Sequence, residues 1–120
     1  MADPNTPTAA NQFQQLRNRQ NELFRKNTAA MVKAAKASDI PLVNKLRAER
    51  AKLTQNDKLI FDAELAFAAS NLSQSDAERR LVAQTQSANR MVKTVKTVAD
   101  VLASAAKMAT ILTRLITLVT

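Results

Sequence analysis

Three carboxylates, Asp57, Asp62 and Glu64, lie close together in the chain and are the side chains best suited by type and spacing to do chemistry. If one helix runs through them, Asp57 and Glu64 share a face, where two carboxylates could act as general acid and base or bind a divalent cation. The alternative, which we favour, is that Asp57 caps a helix and the others are solvated surface charges. The sequence therefore predicts no catalytic residue, no metal site and no cofactor.

The amino-acid composition removes most other chemistry. The 120 residues include no Cys, His, Gly, Trp or Tyr. Without Cys and His there are no thiolate or imidazole metal ligands, no disulfides and no catalytic sites built on those side chains. Without Gly there are no glycine-rich phosphate loops and none of the usual tight β-hairpin turns, so the chain favours helix. We expect a protein that is not an enzyme and has no small-molecule substrate.

Hydrophobic spacing predicts an all-α fold: an elongated bundle of three or four helices with a long, heptad-patterned C-terminal helix. Residues 1–8 contain two prolines and are predicted to form a flexible tail, and residues 9–120 a single helical domain. Pro41 suits the first turn of the second helix, and a break is predicted at residues 54–57. The predicted helices cover approximately residues 9–37, 40–53, 56–70 and 76–119.

Two features of this pattern leave alternatives open. A helix over residues 76–119 would be about 66 Å long, whereas a compact domain of this size is about 35 Å across. Either it bends or breaks, or the other helices extend beside it, or another chain covers the overhang. Asn27 and Thr85 interrupt apolar stripes. A buried Asn can fix the register of packed helices, but we favour polar residues tolerated at the bundle edge.

The segment from Val98 onward is apolar around most of its circumference and therefore needs more than one apolar partner. Three partners remain open: the centre of its own bundle, an interface with itself or another helical protein, and an anionic membrane surface contacted by the amphipathic residues 98–120. The predicted partner or oligomer interface consists of Val98, Val101, Leu102, Met108, Ile111, Leu112, Leu115, Ile116 and Val119.

The net charge is +8, from 18 Lys or Arg and 10 Asp or Glu. The basic side chains could contact phosphates, which makes nucleic acid an alternative partner, and Gln and Asn residues between Gln12 and Asn21 could read base edges. A solubilising basic face is the simpler interpretation, and the same charge would attract anionic lipids. The candidate phosphate contacts are Arg19, Lys26, Lys33, Lys36, Lys45, Arg47, Arg50 and Lys52.

The pattern as a whole favours a non-enzymatic helical interaction or assembly module, which associates with itself or a partner through its apolar C-terminal helix. In composition the chain resembles small, glycine-poor helical proteins that serve as assembly modules in secretion systems, phages and chaperone complexes. Its first residues lack the charged and apolar regions of a cleavable signal peptide. Because Lys107 and Arg114 interrupt the nearest candidate span, no clear transmembrane span is expected, and the cytoplasm is the default location.

Overall fold

The computed structural model describes residues 1–120 as four α-helices joined by short turns, with no strands. The bundle measures 53 × 20 × 18 Å along its principal axes. The predicted fold class, an elongated all-α bundle, is therefore confirmed. The helices are α1 (Pro7–Lys36), α2 (Ile40–Ala68), α3 (Gln74–Lys93) and α4 (Val98–Val119).

α1 and α4 each pack against both α2 and α3, so α2 and α3 occupy opposite corners of the bundle. Two buried amide side chains of α1 show the direction of α2. Asn27 Nδ2 donates to the carbonyl oxygen of Leu46 at 3.0 Å, and Gln20 Nε2 donates to that of Leu53. Because higher numbers on α1 meet lower numbers on α2, these helices are antiparallel, and the two bonds fix their register.

The N-terminal residues, predicted to be flexible, are packed against α3. Ala2 is 3 % exposed, and the Asp3 N–H donates to Gln74 Oε1 at 2.5 Å. Farther along α1, Lys26 Nζ donates to the carbonyl oxygen of Val95, which follows α3. These contacts make α1 and α3 parallel, and they tie down the segment that proline content alone suggested would be loose.

The predicted break at residues 54–57 is wrong, because α2 is continuous over 29 residues. Asn56 is buried and its Nδ2 donates to the carbonyl oxygen of Ala105 on α4 at 2.9 Å. Glu49, also buried, accepts from the N–H of the same Ala105 at 2.9 Å. The heptad pattern of α2 therefore continues through residues 54–57. Because Glu49 and Asn56 are polar residues at core positions, the spacing of apolar residues alone indicated a break. The buried positions are Leu46, Glu49, Leu53, Asn56, Ile60, Ala63 and Phe67.

The single helix predicted over residues 76–119 is also wrong: it ends at Lys93 and resumes at Val98. A capping box starts the new helix, since Thr97 Oγ1 accepts from the Asp100 N–H at 3.2 Å and Asp100 Oδ2 accepts from the Thr97 N–H at 3.0 Å. The turn reverses the chain, so α4 runs antiparallel to α3. Folding back lets both halves bury their apolar stripes, which a straight helix would carry away from the bundle.

The turn between α1 and α2 contains Ser38 at a φ of 56°, in the left-handed region. Its N–H bonds to the carbonyl oxygen of Ala35 at 3.0 Å, and the Asp39 N–H bonds to that of Ala34 at 2.9 Å. This is the Schellman arrangement, in which glycine usually holds the left-handed position. Asp39 then caps α2, with Pro41 in its first turn as predicted. The result is a tight helical hairpin at one end of the bundle.

Candidate functional site

The three carboxylates with the best spacing for chemistry do not form a common site. Asp57 and Glu64 share a groove of about 290 Å³ between α1 and α2, together with Arg17 and Phe61. Arg17 forms an ion pair with Glu64. No group of three acidic side chains is arranged to hold a metal ion. The continuous α2 does place Asp57 and Glu64 on one face, but the guanidinium group of Arg17 already pairs with Glu64 there.

Most of the interface predicted on α4 lies inside this protein's own core. Five of its nine residues are at most 6 % exposed, and they pack against the other helices. Those five are Val101, Met108, Leu112, Leu115 and Val119. Of the remaining four, one is exposed and three are partly buried against the core, and association through them stays a prediction. These are Val98, Leu102, Ile111 and Ile116.

The expectation that the chain has no clear candidate for a transmembrane span is wrong. Val98–Val119 has 22 residues and a mean hydropathy of 1.5 over its most apolar window, so it is long and apolar enough to span a bilayer. Core helices of soluble proteins can pass the same test, and 33 % of that window is buried within the bundle. The assignment to the cytoplasm by default therefore has no basis, and the finding does not assign another location.

The eight candidate phosphate contacts do not form one surface, because three of them are held by bonds within the bundle. Arg19 pairs with Glu22 at 3.1 Å, and Lys26 Nζ donates to the carbonyl oxygen of Val95, just after α3. Arg50 lies over the Phe24 ring, 5.0 Å from its centroid. Lys52 is exposed farther along α2. The other four are exposed near the α1–α2 turn: Lys33, Lys36, Lys45 and Arg47.

Charge is segregated along the bundle axis. We define the hairpin end as residues 26–50, which form the end of α1, the turn and the start of α2, together with residues 90–100 at the α3–α4 turn. It contains nine Lys or Arg and three acidic residues, whereas the rest of the chain contains nine and seven. The three acidic residues accept backbone hydrogen bonds and form no ion pair, and every ion pair of the bundle lies outside the hairpin end. The cations of the hairpin end are therefore not neutralised by salt bridges.

Exposed apolar side chains accompany this charge. Val32 is 49 % exposed and Ile40 is 59 % exposed. Val32 lines a groove of about 440 Å³ between α1 and α2, together with the half-buried Val43 and the exposed Arg47. Ile40 is exposed at the first residue of α2, past the α1 residues that line a groove with the α3–α4 turn, whereas Val32 lies in a different groove, away from that turn. The hairpin end is thus both cationic and apolar.

Sequence reasoning placed the basic residues but missed this combination. Val32 and Ile40 sit beside apolar stripes, and no local signal shows that both side chains stay exposed in the bundle. The Gln and Asn residues proposed to read base edges lie elsewhere. Gln20 is 1 % exposed, and Gln15 accepts a hydrogen bond from Asn89. Part of the charge segregation is visible in the sequence, since residues 26–50 contain six of the nine basic residues, but the contribution of residues 90–100 depends on the α3–α4 turn folding back beside the first hairpin.

The fold and surface define a class of protein: a four-helix bundle whose positive charge is concentrated at one end, where apolar side chains are also exposed. Comparison with protein families, with curated proteins and with solved structures gives no match.

Proposed function

We propose that the protein is a non-enzymatic interaction module that binds an anionic partner through its hairpin end. One observation carries the proposal: half of the basic residues lie in the hairpin end, and none of them forms an ion pair. Unpaired cations on a narrow end focus a positive potential and steer an anionic partner toward it. A surface that only had to keep the protein soluble would not need this segregation.

A binding role also fits the state of the carboxylates. Glu64 pairs with Arg17, and Glu22 pairs with Arg19. The carboxylate of Glu49 is buried and accepts from a backbone N–H of α4. Acid–base catalysis needs a free carboxyl group beside a substrate site, and the acidic side chains in these positions instead stabilise the bundle.

Retention on a heparin column tests which surface binds anions. The Lys33→Gln/Lys36→Gln variant removes two exposed cations from the hairpin end, and Lys58→Gln/Lys107→Gln removes two exposed cations from elsewhere. Both variants lose the same net charge. We expect the first to elute at clearly lower salt than the second, because a localised patch dominates binding to a polyanion. Equal elution of the two variants would show that only net charge matters and would refute the proposal.

Self-association, or association with a helical partner, through α4 is the second proposal. It is favoured by the high mean hydropathy of this helix, only a third of whose apolar window is buried. Molar mass from light scattering tests it, with Leu102→Ser/Ile116→Ser as the variant because both residues are only partly buried, and far-UV circular dichroism checks that the variant still folds. We expect a discrete oligomer that this variant dissociates. A monomeric wild-type protein, at concentrations where its hairpin end binds anions, would exclude self-association from the function.

A further inference from the structure

We propose that the anionic partner of the hairpin end is a lipid bilayer surface, which the turn between α1 and α2 enters end-on. In this arrangement Ile40 and Val32 lie at the boundary between headgroups and acyl chains, and the surrounding lysines contact lipid phosphates. The inference rests on the proposed function and adds the chemical class of the partner. Its test is chosen so that the two can fail separately.

The apolar side chains favour lipid over other anions. A nucleic acid or an acidic protein surface would be held by charge and hydrogen bonds, which leaves no role for exposed branched aliphatic residues. Yet the hairpin end exposes Val32, Ile40 and Val98, by 49 %, 59 % and 38 % respectively. Aliphatic side chains surrounded by lysines are typical of segments that lie in the interface of anionic membranes.

The two-helix tip projects a short distance past the α3–α4 turn. The α3–α4 turn lies beside α1 as far as Lys33, since Lys26, Ala30 and Lys33 line one groove with Val98. α1 continues for three residues past Lys33 before the turn, which corresponds to about 4.5 Å of helix. Apolar faces of interfacial helices are buried by about 5–10 Å. The projecting two-helix tip can therefore enter the interface without any rearrangement of the bundle.

The basic residues lie at the height that such a position requires. Lys36 ends α1, one helical turn after Lys33, and Lys45 lies in the second turn of α2. When Ile40 is immersed, their ammonium groups reach the phosphate level, and their aliphatic stems cover the apolar surface between. Asp39 is the one carboxylate at the tip, and its Oδ1 accepts the N–H of Leu42.

Nucleic acid fits this end poorly. The residues that could read bases are remote from it, and Gln20 among them is buried. The chain has no Trp or Tyr, and its four Phe residues all lie outside the α1–α2 turn, so the tip has no aromatic side chain on which single-stranded bases could stack. A partner recognised by shape, charge and apolar contact fits better, and a bilayer surface provides all three.

Tryptophan fluorescence tests the proposal directly, because the chain has no Trp of its own. Single Ile40→Trp, Phe61→Trp and Thr113→Trp variants place a probe at the tip, at the opposite end of α2 and on the outer face of α4. All three positions are exposed, so circular dichroism should show an unchanged fold. Each variant is titrated with phosphatidylcholine vesicles that contain about 30 % phosphatidylserine and with pure phosphatidylcholine vesicles. Only Ile40→Trp should shift to shorter wavelength and be quenched by brominated lipid, and only with anionic vesicles.

Affinity measured by vesicle flotation separates the two components of binding. Removing two lysines in Lys33→Gln/Lys36→Gln should weaken binding about 25-fold, from about fivefold per basic residue. Val32→Ser/Ile40→Ser leaves the charge unchanged and should weaken binding about tenfold. The matched control Phe61→Ser/Leu65→Ser removes two side chains that are 58 % and 54 % exposed at the other end, and should bind as the wild type does.

Each contrary result has a definite meaning. If heparin retention depends on the hairpin end but no probe responds to anionic vesicles, lipid is refuted while the cationic surface stands. If the hairpin variant is retained on heparin as its charge-matched control is, the proposed function fails as well. If Thr113→Trp responds and Ile40→Trp does not, α4 contacts the bilayer and the end-on position is wrong. Nucleic acid binding that survives Val32→Ser/Ile40→Ser, without vesicle binding, would identify the other class of partner.

Discussion

Replacing Asn27 with leucine should stabilise the bundle, although it removes a hydrogen bond. The side chain of Asn27 is fully buried, and its Nδ2 donates to the carbonyl oxygen of Leu46 at 3.0 Å. Its Oδ1 is buried without a partner. Leucine has the same branching as asparagine, so the new methyl groups would occupy the positions of the amide nitrogen and oxygen. The substitution therefore removes one satisfied and one unsatisfied polar atom together.

The magnitude follows from these opposing contributions. Losing the hydrogen bond costs about 1 kcal/mol, and removing an unpaired buried polar atom returns about 1–3 kcal/mol. Burying leucine instead of an amide adds about 2 kcal/mol, part of which is lost to crowding. We expect a net gain of about 1–2 kcal/mol in the free energy of unfolding. For a domain of this size that raises Tm by about 4–8 °C.

Urea unfolding followed by far-UV circular dichroism measures this change, since the chain lacks Trp and Tyr for fluorescence. Asn27→Ala is the matched control: it removes the same polar atoms but leaves a cavity, and should lower stability by about 2 kcal/mol. If the leucine variant is less stable than the wild type, the hydrogen bond to Leu46 outweighs the unpaired oxygen and the reasoning fails. Light scattering adds a second readout, because a buried Asn that fixes register should, once removed, permit additional association states.

Two further predictions concern the turns. Ser38→Gly should raise stability by up to about 1 kcal/mol in the same urea assay, because Ser38 has a φ of 56° and glycine carries no Cβ penalty there; an unchanged or lower stability would show that the serine conformation is not strained. The backbone N–H of Thr97, then that of Lys96, hold the pKa of Asp100 below its ordinary value. Asp100 therefore binds a proton more readily in the unfolded state than in the folded state. The stabilisation that its ionised carboxylate gives the folded state is present above about pH 4 and is lost as the pH falls through the lower, folded-state pKa. The Tm difference between the wild type and Asp100→Asn should shrink on acidification, and a difference independent of pH would contradict the assignment.

The helical fold could be predicted from the sequence because periodicity is a local property, but the two breaks could not. Thr54 and Asp57 have the same spacing as Thr97 and Asp100, and both pairs match a capping pattern. Only the second pair caps a helix. At the first, continuing the helix buries Asn56 against α4; at the second, continuing it would carry the apolar C-terminal segment away from the bundle. Tertiary packing therefore determines which of the two matching Thr–Asp pairs begins a helix and which lies within one.

The candidate site depends even more on tertiary structure. Lys33 and Lys96 are far apart in the chain, and they line one groove only because the α3–α4 turn folds back beside α1. The exposure of Ile40 likewise depends on where two other helices end. Mean hydropathy carries no such information, because it counts buried and exposed side chains equally: among the large apolar side chains of α4 only Val98 is exposed, while Lys107 and Thr110 lie on its outer face. Contact with a bilayer is governed by the apolar area that is exposed, and for this reason the short tip of the first hairpin is a stronger candidate than the most apolar helix of the chain.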